Sequence, residues 1–191
     1  MKNADFDTLC REIDRRLTDA SPLLLAIDGR CGSGKTTLAL HLREHYGEKT
    51  SLYRMDDFFL PFELRTPERM AQPGGHMDVE RFLREVLQPL KRGVPFTYGV
   101  YDCQTGTRQE KPGGTTSLAI MEGSYSLHPL LREFYDVKVF ITTDSHTQRQ
   151  RLLAREGETR FQRFLTDWIP REEAYFTAYQ AEQSADYILT T

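Results

Sequence analysis

One short stretch carries the clearest chemical signal in the sequence. Residues 29–36 read Gly-Arg-Cys-Gly-Ser-Gly-Lys-Thr and match the phosphate-binding pattern G-x-x-x-x-G-K-[ST] at every fixed position. Glycines suit a loop whose backbone takes positive φ angles and closely approaches phosphate oxygens. The lysine would reach the β and γ phosphates, and the threonine would offer its hydroxyl to Mg²⁺. We predict that these residues bind a nucleotide: Gly29, Cys31, Gly32, Ser33, Gly34, Lys35, Thr36 and Thr37.

Carboxylates follow two further apolar stretches that read as strands. Asp56 and Asp57 follow a short strand predicted over 50–55, and Glu122 follows one predicted over 117–121. A carboxylate at such a strand end can accept the proton of an attacking hydroxyl or hold Mg²⁺. The alternatives are that the aspartates cap a turn and that Glu122 faces solvent. We interpret Asp56 as the catalytic base and Glu122, with Thr36, as the metal-holding pair.

Two other polar features allow two interpretations each. Asp78 precedes an amphipathic helix, so it caps that helix, binds sugar hydroxyls of a substrate, or does both. Arginines crowd the segment of roughly 149–163, which Gly157 interrupts. They form either a solvated helix face or a lid that closes on the transferring phosphoryl group. The arginines are Arg149, Arg151, Arg155, Arg160 and Arg163.

Two smaller signals concern a histidine pair and a cysteine. His41 and His45 fit the zinc pattern H-x-x-E-H, but the pattern lies on the helix after the phosphate loop and shows no third ligand. We therefore expect no zinc there. Cys31 lies near the start of that helix, which predicts a lowered pKa for its thiol.

Sequence motifs also separate the classes of phosphate-loop protein. Guanine recognition by Asn-Lys-x-Asp is excluded, because Asn3 is the only asparagine. No D-x-x-G switch and no Leu-Ser-Gly-Gly transporter signature occurs either. Small-molecule kinases remain. The alternative from another class is a regulatory or assembly ATPase that phosphorylates no small molecule.

The composition is that of an ordinary globular domain. The chain has 191 residues, 39% of them hydrophobic, and a formal charge of −3, which does not indicate a nucleic-acid or membrane surface. No long apolar span or signal peptide appears, and the three cysteines form no C-x-x-C pair. We expect one cytoplasmic domain over residues 1–191 with a small-molecule acceptor as its partner. A homo-oligomer is left open.

The surrounding elements predict how these residues are positioned. The apolar run 23–27 reads as a strand buried on both faces, and the segment after the phosphate loop is rich in helix formers. Strands over 50–55, 117–121, 137–142 and 186–189 alternate with helices, and residues 95–111 read as a hairpin. This order predicts an α/β sandwich with a five-stranded parallel sheet. The first helix should end at Ser21-Pro22, and a last long helix should reach about Ser184.

The motifs occur in the order found in one known family. The phosphate loop, Met55-Asp56-Asp57-Phe58-Phe59, Tyr101-Asp102 through Arg108, Ile120-Met121-Glu122-Gly123 and the arginine segment together resemble uridine kinases, P-loop nucleoside kinases related to nicotinamide riboside kinase, phosphoribulokinase and bacterial pantothenate kinase. The resemblance spans about residues 23–190. It implies transfer of the ATP γ-phosphate to a primary hydroxyl with the help of Mg²⁺.

The resemblance also implies roles for individual residues. Asp56 corresponds to the general base, Glu122 to the magnesium-associated acid, and Lys35 to the phosphate-binding lysine. Arg151 and Arg155 correspond to lid arginines, the first catalytic and the second nucleotide-binding. The substrate residues it implies are Asp56, Phe59, Asp78, Tyr101 and Arg108.

The hairpin differs from the uridine kinase pattern. In uridine kinases it carries Tyr-Asp-Phe and a base-binding His, where this sequence has Cys103 and Gly106. A site without that ring and imidazole loses stacking and a hydrogen bond to uracil. The sequence therefore predicts the kinase reaction and leaves the acceptor unnamed.

Overall fold

A parallel sheet organises the computed structural model, which describes residues 2–17, 21–114 and 116–191. The strands are β1 (Lys2–Asn3), β2 (Leu23–Gly29), β3 (Thr50–Arg54), β4 (Phe96–Asp102), β5 (Thr107–Gly113), β6 (Leu118–Glu122), β7 (Val137–Thr142) and β8 (Tyr187–Thr190). The main sheet has the order β1-β8-β7-β2-β6-β3, and each neighbouring pair is parallel. Strands β4 and β5 form the predicted hairpin as a separate antiparallel pair.

The sheet has one strand more than the sequence predicted. The extra strand is β1, whose residues Lys2 and Asn3 pair with Tyr187 and Ile188 of β8. Two exposed polar residues carry no hydrophobic period, so the pattern of the sequence could not reveal this strand. The α/β architecture itself is confirmed.

Helices cover both faces of the sheet. They are α1 (Phe6–Arg16), α2 (Lys35–Tyr46), α3 (Pro67–Met70), α4 (Val79–Phe82), α5 (Gln88–Arg92), α6 (Ser145–Arg163) and α7 (Ile169–Tyr179). A π-helical turn over Leu83–Leu87 joins α4 to α5, and another over Phe164–Trp168 joins α6 to α7. Among the described residues, no helix combines the length and apolarity that crossing a bilayer requires.

The central strand β2 explains why its sequence is a continuous apolar run. Leu24 and Ala26 pack into the core beneath α4, α5 and α7, whereas Leu25 and Ile27 pack into the core beneath α1 and α2. Alternate residues of one strand thus enter two cores, and every residue of β2 is buried.

Two helix ends differ from the predicted positions. Helix α1 ends at Arg16, with Leu17 as its C-cap, and does not reach Ser21-Pro22. The last helix ends at Tyr179 because Gln180 adopts a left-handed conformation with φ of 51°, which stops the helix before Ser184. The periodicity of the sequence located the helices but not these cap conformations.

Candidate active site

A cavity of about 1020 Å³ opens where the carboxyl ends of β2, β3 and β6 meet. In open parallel sheets this edge is where ligands bind. Its wall includes Lys35 and Thr36 from α2, Asp56 after β3, and Glu122 from β6. Three separate strand ends therefore contribute side chains to one space, as the sequence predicted.

The phosphate loop leaves β2 through glycines that no other residue could replace easily. A β-carbon on Gly29 would lie 2.0 Å from the carbonyl oxygen of Ile141, and the φ of Gly29 is +140°. Gly34 takes a left-handed conformation as the N-cap of α2. The loop therefore ends directly at the positive end of this helix, the usual environment for a bound phosphate.

Lys35 lies at the start of α2 and folds back over the loop. Its ammonium group donates hydrogen bonds to the carbonyl oxygens of Gly29 at 2.7 Å and Arg30 at 3.0 Å. The positive charge is thereby fixed at the mouth of the loop. Of the other predicted loop residues, these line the cavity: Cys31, Gly32, Gly34, Thr36 and Thr37.

Glu122 is a buried carboxylate at the end of β6. Thr36 Oγ1 donates to its Oε2 at 3.2 Å, and Arg54 Nε lies 3.6 Å from its Oε1. Burial, followed by the charge of Asp56, raises the pKa of Glu122, although Lys35 and Arg54 oppose the change. A divalent cation would relieve the repulsion between the carboxylates of Glu122 and Asp56, and Mg²⁺ prefers oxygen ligands. The oxygens of Thr36 and Glu122 therefore fit Mg²⁺.

The two aspartates after β3 have different surroundings. Asp56 lines the cavity, whereas Asp57 does not and lies 3.8 Å from Lys111 Nζ. Burial raises the pKa of Asp57 despite this partner. Only Asp56 is therefore placed to contact a ligand.

A close contact between backbones sets the spacing of the acids. A β-carbon on Gly123 would lie 2.9 Å from the β-carbon of Met55, and the φ of Gly123 is +135°. The ends of β3 and β6 can approach each other only because this residue has no side chain. Asp56 directly follows Met55, and Glu122 directly precedes Gly123. Both acids consequently lie at the same end of the cavity.

The predicted lid arginines divide between two surfaces. Arg151 and Arg155 line the cavity, together with Arg160 and Arg163, while Arg149 lines a separate small cavity. Arg151 Nη1 donates to the carbonyl oxygen of Gly32 at 3.3 Å. Helix α6 is interrupted at Gly157, whose φ of 73° and ψ of 167° are not helical. The lid segment is therefore in two parts.

Three predicted substrate residues do not line the cavity. Asp78 caps α4 by accepting the backbone N–H of Arg81, and its carboxylate also binds the Arg81 side chain. The Tyr101 ring is buried beside Phe62. Arg108 forms an ion pair with Glu85 at 2.9 Å. Capping, core packing and an ion pair occupy these side chains, which is why the structure does not bring them to the site.

Two other predicted loop residues contribute through the backbone. Gly29 presents its carbonyl to Lys35, and Ser33 is fully buried, with its carbonyl accepting from Thr191 Oγ1 at 3.0 Å. Cys31 differs from the prediction, because burial and the charge of Glu172 raise the pKa of its thiol. Its backbone N–H donates to Glu172 Oε2 at 2.9 Å. The prediction of a lowered pKa for Cys31 is therefore wrong.

Sequence reasoning missed the side chains at the far end of the cavity. Phe59 was predicted to contact the substrate. The residues that line the cavity with it come from separate segments that carry no motif. They are Phe62, Arg65, His76, Tyr125, Trp168 and Arg171. A Gly-Gly turn before His76 was the one available signal.

Comparisons with known proteins show which proteins the chain is similar to. No family model matches the chain. The uridine kinase of Geobacillus sp. (strain WCH70) is 31% identical over 144 residues, which cover 71% of this chain and 67% of that protein.

Solved structures give the same fold. A structure described as that of a possible uridine kinase from Bacillus stearothermophilus superposes with a TM-score of 0.72 at 24% identity, covering 96% of each chain. Phosphoribulokinase from Rhodobacter spheroides superposes with a TM-score of 0.61 at 12% identity, covering 90% of this chain and 71% of the other.

Proposed function

The chain belongs to the uridine kinase family, and on that premise we propose that it transfers the γ-phosphate of ATP to a primary hydroxyl of a nucleoside or a related small alcohol. The observation that carries the proposal is the shared cavity wall of Lys35, Thr36, Asp56 and Glu122. An ammonium group, a metal-holding acid and a proton acceptor thus border the same space.

The reaction divides among these residues. Lys35 and the loop N–H groups hold the phosphates against the N-terminus of α2. The acceptor oxygen forms a bond to the γ-phosphorus, the bond from that phosphorus to the β–γ bridging oxygen breaks, and ADP leaves. Asp56 takes the hydroxyl proton. Because the transition state is loose, positioning and charge stabilisation contribute more than the strength of the base.

Mg²⁺ completes the proposed site. The hydroxyl of Thr36 and the carboxylate of Glu122 would hold it, and the bound ion would neutralise charge on the β and γ phosphate oxygens. Arg151 and Arg155 contribute positive charge from the lid segment, where they exclude water that competes with the acceptor.

The test is acceptor-dependent release of ADP. The purified protein is incubated with ATP, Mg²⁺ and, one at a time, nucleosides, pantothenate and sugar phosphates. Release that rises with one acceptor supports the kinase. Release that no acceptor changes supports the regulatory or assembly ATPase instead. Lys35→Ala should lose both nucleotide binding and release, which separates the protein's own activity from a contaminant.

A further inference from the structure

Arg81 of α4 is an arginine buried outside the cavity. It is only 4% exposed, although arginine is among the residues most rarely buried in proteins. It does not line the cavity, so it contacts no substrate in the proposed site. Burying a cation is costly unless the charge is paired and hydrogen-bonded. The partners of Arg81 therefore indicate what its burial achieves.

The guanidinium group of Arg81 binds three separate segments of the chain. Its Nε donates to Asp78 Oδ2 at 3.1 Å, at the start of α4. Its Nη1 donates to the carbonyl oxygen of Gly99 in β4, and its Nη2 donates to the carbonyl oxygen of Asp57 at 3.4 Å. Asp57 belongs to the short 3-10 turn Met55–Phe58, which carries the proposed base and is called the base turn below. Each nitrogen of the planar fork thus has a partner in a different segment.

Phe58 adds a further contact between Arg81 and the base turn. The guanidinium carbon lies over the Phe58 ring, 4.3 Å from its centroid, in the geometry of a cation–π interaction. The same ring stacks on Tyr98 of the hairpin, at 5.9 Å between centroids. The carbonyl oxygen of Phe58 accepts the N–H of Asp78 at 2.8 Å. The two residues that directly follow Asp56 are therefore both held from this side.

A second acid and a second arginine balance the charges around Arg81. Glu85 lies 3.5 Å from Arg81 Nη1, accepts the N–H of Gly99 at 3.0 Å and pairs with Arg108 at 2.9 Å. The carboxylates of Asp78 and Glu85 thus match the two guanidinium groups, which leaves no net charge among these four side chains. Asp78 and Arg108, which the sequence assigned to the substrate, instead belong to the cluster that holds Arg81.

We propose that Arg81 is the positioning residue of Asp56, because it fixes the base turn against the hairpin. The inference rests on the proposed function, in which Asp56 is the base. A base must lie within hydrogen-bond reach of the proton that it accepts, and a misplacement of about 1 Å can lower a rate about 100-fold. The planar fork of arginine suits this task, since a lysine carries the same charge but cannot bond several segments in fixed directions.

The first test asks whether Arg81 and Asp56 act as a unit. Arg81→Lys keeps the charge that the two acids require but gives up the fork. With the acceptor that gives the fastest ADP release in the panel above, we expect kcat to fall about tenfold and the KM for ATP to stay unchanged. In an Asp56→Asn background the same substitution should lower kcat by less than about twofold, because no base is left to position. A tenfold loss in both backgrounds would overturn the proposal.

Arg69 provides a matched control. Its guanidinium group also bonds two backbone carbonyls and an acid: Nε donates to Gly75 at 3.1 Å, Nη2 donates to Met77 at 3.0 Å, and Glu80 pairs with it at 2.7 Å. In the part of the chain that the structure describes, none of these bonds reaches the base turn. Arg69→Lys should therefore leave kcat close to the wild-type value in both backgrounds. Equal losses of kcat in Arg69→Lys and Arg81→Lys would indicate a general effect on the fold and would overturn the proposal.

A second variant keeps the test valid if Arg81→Lys does not fold. The double variant Asp78→Asn/Arg81→Gln removes one charge of each sign, so the remaining pair of Glu85 and Arg108 is still balanced. It also loses the bond to the carbonyl of Asp57. We expect the same fall in kcat of about tenfold, with the KM for ATP again unchanged. Wild-type kcat in this folded variant would overturn the proposal.

Amide hydrogen exchange tests the positioning without any turnover. Arg81→Lys should speed exchange in the base turn, whereas Arg69→Lys should speed it in residues 70–77 and leave the base turn unchanged. Exchange in the base turn that Arg81→Lys does not alter would overturn the inference and leave the kinase function intact. Faster exchange there, in a protein that shows no acceptor-dependent ADP release, would support the link from Arg81 to the base turn and count against the kinase.

Discussion

Thr36 Oγ1 donates a hydrogen bond to Glu122 Oε2 at 3.2 Å, so the first turn of α2 and the end of β6 present their oxygens side by side. The two residues belong to different elements, so the pair forms only when the chain is folded. The contact depends on the register in which Ile27 of β2 lies opposite Glu122 of β6. The following predictions begin from this pair and move outward.

Replacing the acid should weaken metal use without unfolding the protein. Glu122→Gln keeps the acceptor for Thr36 but removes the charge, so the Mg²⁺ concentration for half-maximal activity should rise about tenfold or more. Because the pKa of Glu122 is raised in the folded state, its charge is unfavourable at pH 7. The melting temperature of the variant should therefore be unchanged or higher. Glu173→Gln, which alters a partner of Arg30 outside the cavity, is the control.

The two aspartates after β3 provide a matched pair. Asp56→Asn should lower kcat by roughly 10²-fold or more, because the proton acceptor is lost, while ATP binding persists. Asp57→Asn should change kcat by less than about threefold, since Asp57 faces Lys111 and not the cavity. Steady-state ADP release and nucleotide titration measure the two effects. A loss of ATP affinity in Asp56→Asn as large as the loss of kcat would contradict the role given to Asp56.

Arg151 and Arg149 test the lid in the same way. Arg151→Ala should lower kcat by about ten- to a hundredfold, because its charge lies beside the phosphate loop at Gly32. Arg149→Ala, on the same helix but outside the main cavity, should stay close to wild type. Similar losses in both variants would indicate a general effect on α6 rather than stabilisation of the transferred group.

Adding a methyl group at Gly123 should move the carboxylates of Asp56 and Glu122 apart. Gly123→Ala places a β-carbon 2.9 Å from Met55 Cβ at a φ of +135°, so the end of β3 must shift. We expect a loss of about 1–3 kcal/mol in the free energy of unfolding and a lower kcat. Gly114→Ala, whose β-carbon would meet nothing within 4 Å, should affect neither. Denaturant titration and kinetics of the two variants provide the comparison.

His128 should make the stability of the fold sensitive to acid. Burial lowers the pKa of His128 to about 4, and its Nδ1 accepts the N–H of Leu130 at 3.3 Å. The unfolded state takes up a proton near pH 6.5, so the stabilising contribution is complete above that pH and is lost as pH falls towards 4. Asp28, whose pKa is raised to about 6 by burial, changes stability in the opposite direction over part of the same range.

The variant His128→Gln separates the contribution of His128 to the pH dependence of stability from that of Asp28. Between pH 7 and 4.5, His128→Gln should lose roughly 1–2 kcal/mol less stability than the wild type. Denaturant titrations at both pH values give this difference. Equal losses in the two proteins would mean that His128 is protonated in the folded state.

The sequence predicted the residues that line the phosphate-loop end of the cavity far better than those that line the aromatic end. The phosphate loop, Asp56 and Glu122 are local patterns at strand ends, and parallel topology brings such ends together. His76, Tyr125 and Trp168 come from three segments without a common motif, so only tertiary packing assembles them. Asp78 and Arg108 could not be resolved from sequence, because whether a charged side chain caps, pairs or faces a ligand depends on its neighbours in space.

The elements of the fold also divide into those that the sequence pattern predicted and those that it did not. The hydrophobic runs predicted five strands of the main sheet, and the periodicity predicted the helix that follows Asp78. The strand Lys2–Asn3 and the π-helical turn Phe164–Trp168 were not predicted, since two residues show no period and a π turn keeps an ordinary helical composition.

Glu172 of α7 joins both ends of the cavity through one carboxylate. Its Oε2 accepts the Cys31 N–H of the phosphate loop at 2.9 Å, while its Oε1 accepts the hydroxyl of Ser124, next to Tyr125. Trp168, which lines the aromatic end of the cavity, directly precedes the same helix. A displacement of α7 at one end of the cavity would therefore move a hydrogen-bond partner of the phosphate loop at the other end. Thermodynamic linkage makes such an influence reciprocal, so occupancy at each end should change affinity at the opposite end by the same factor.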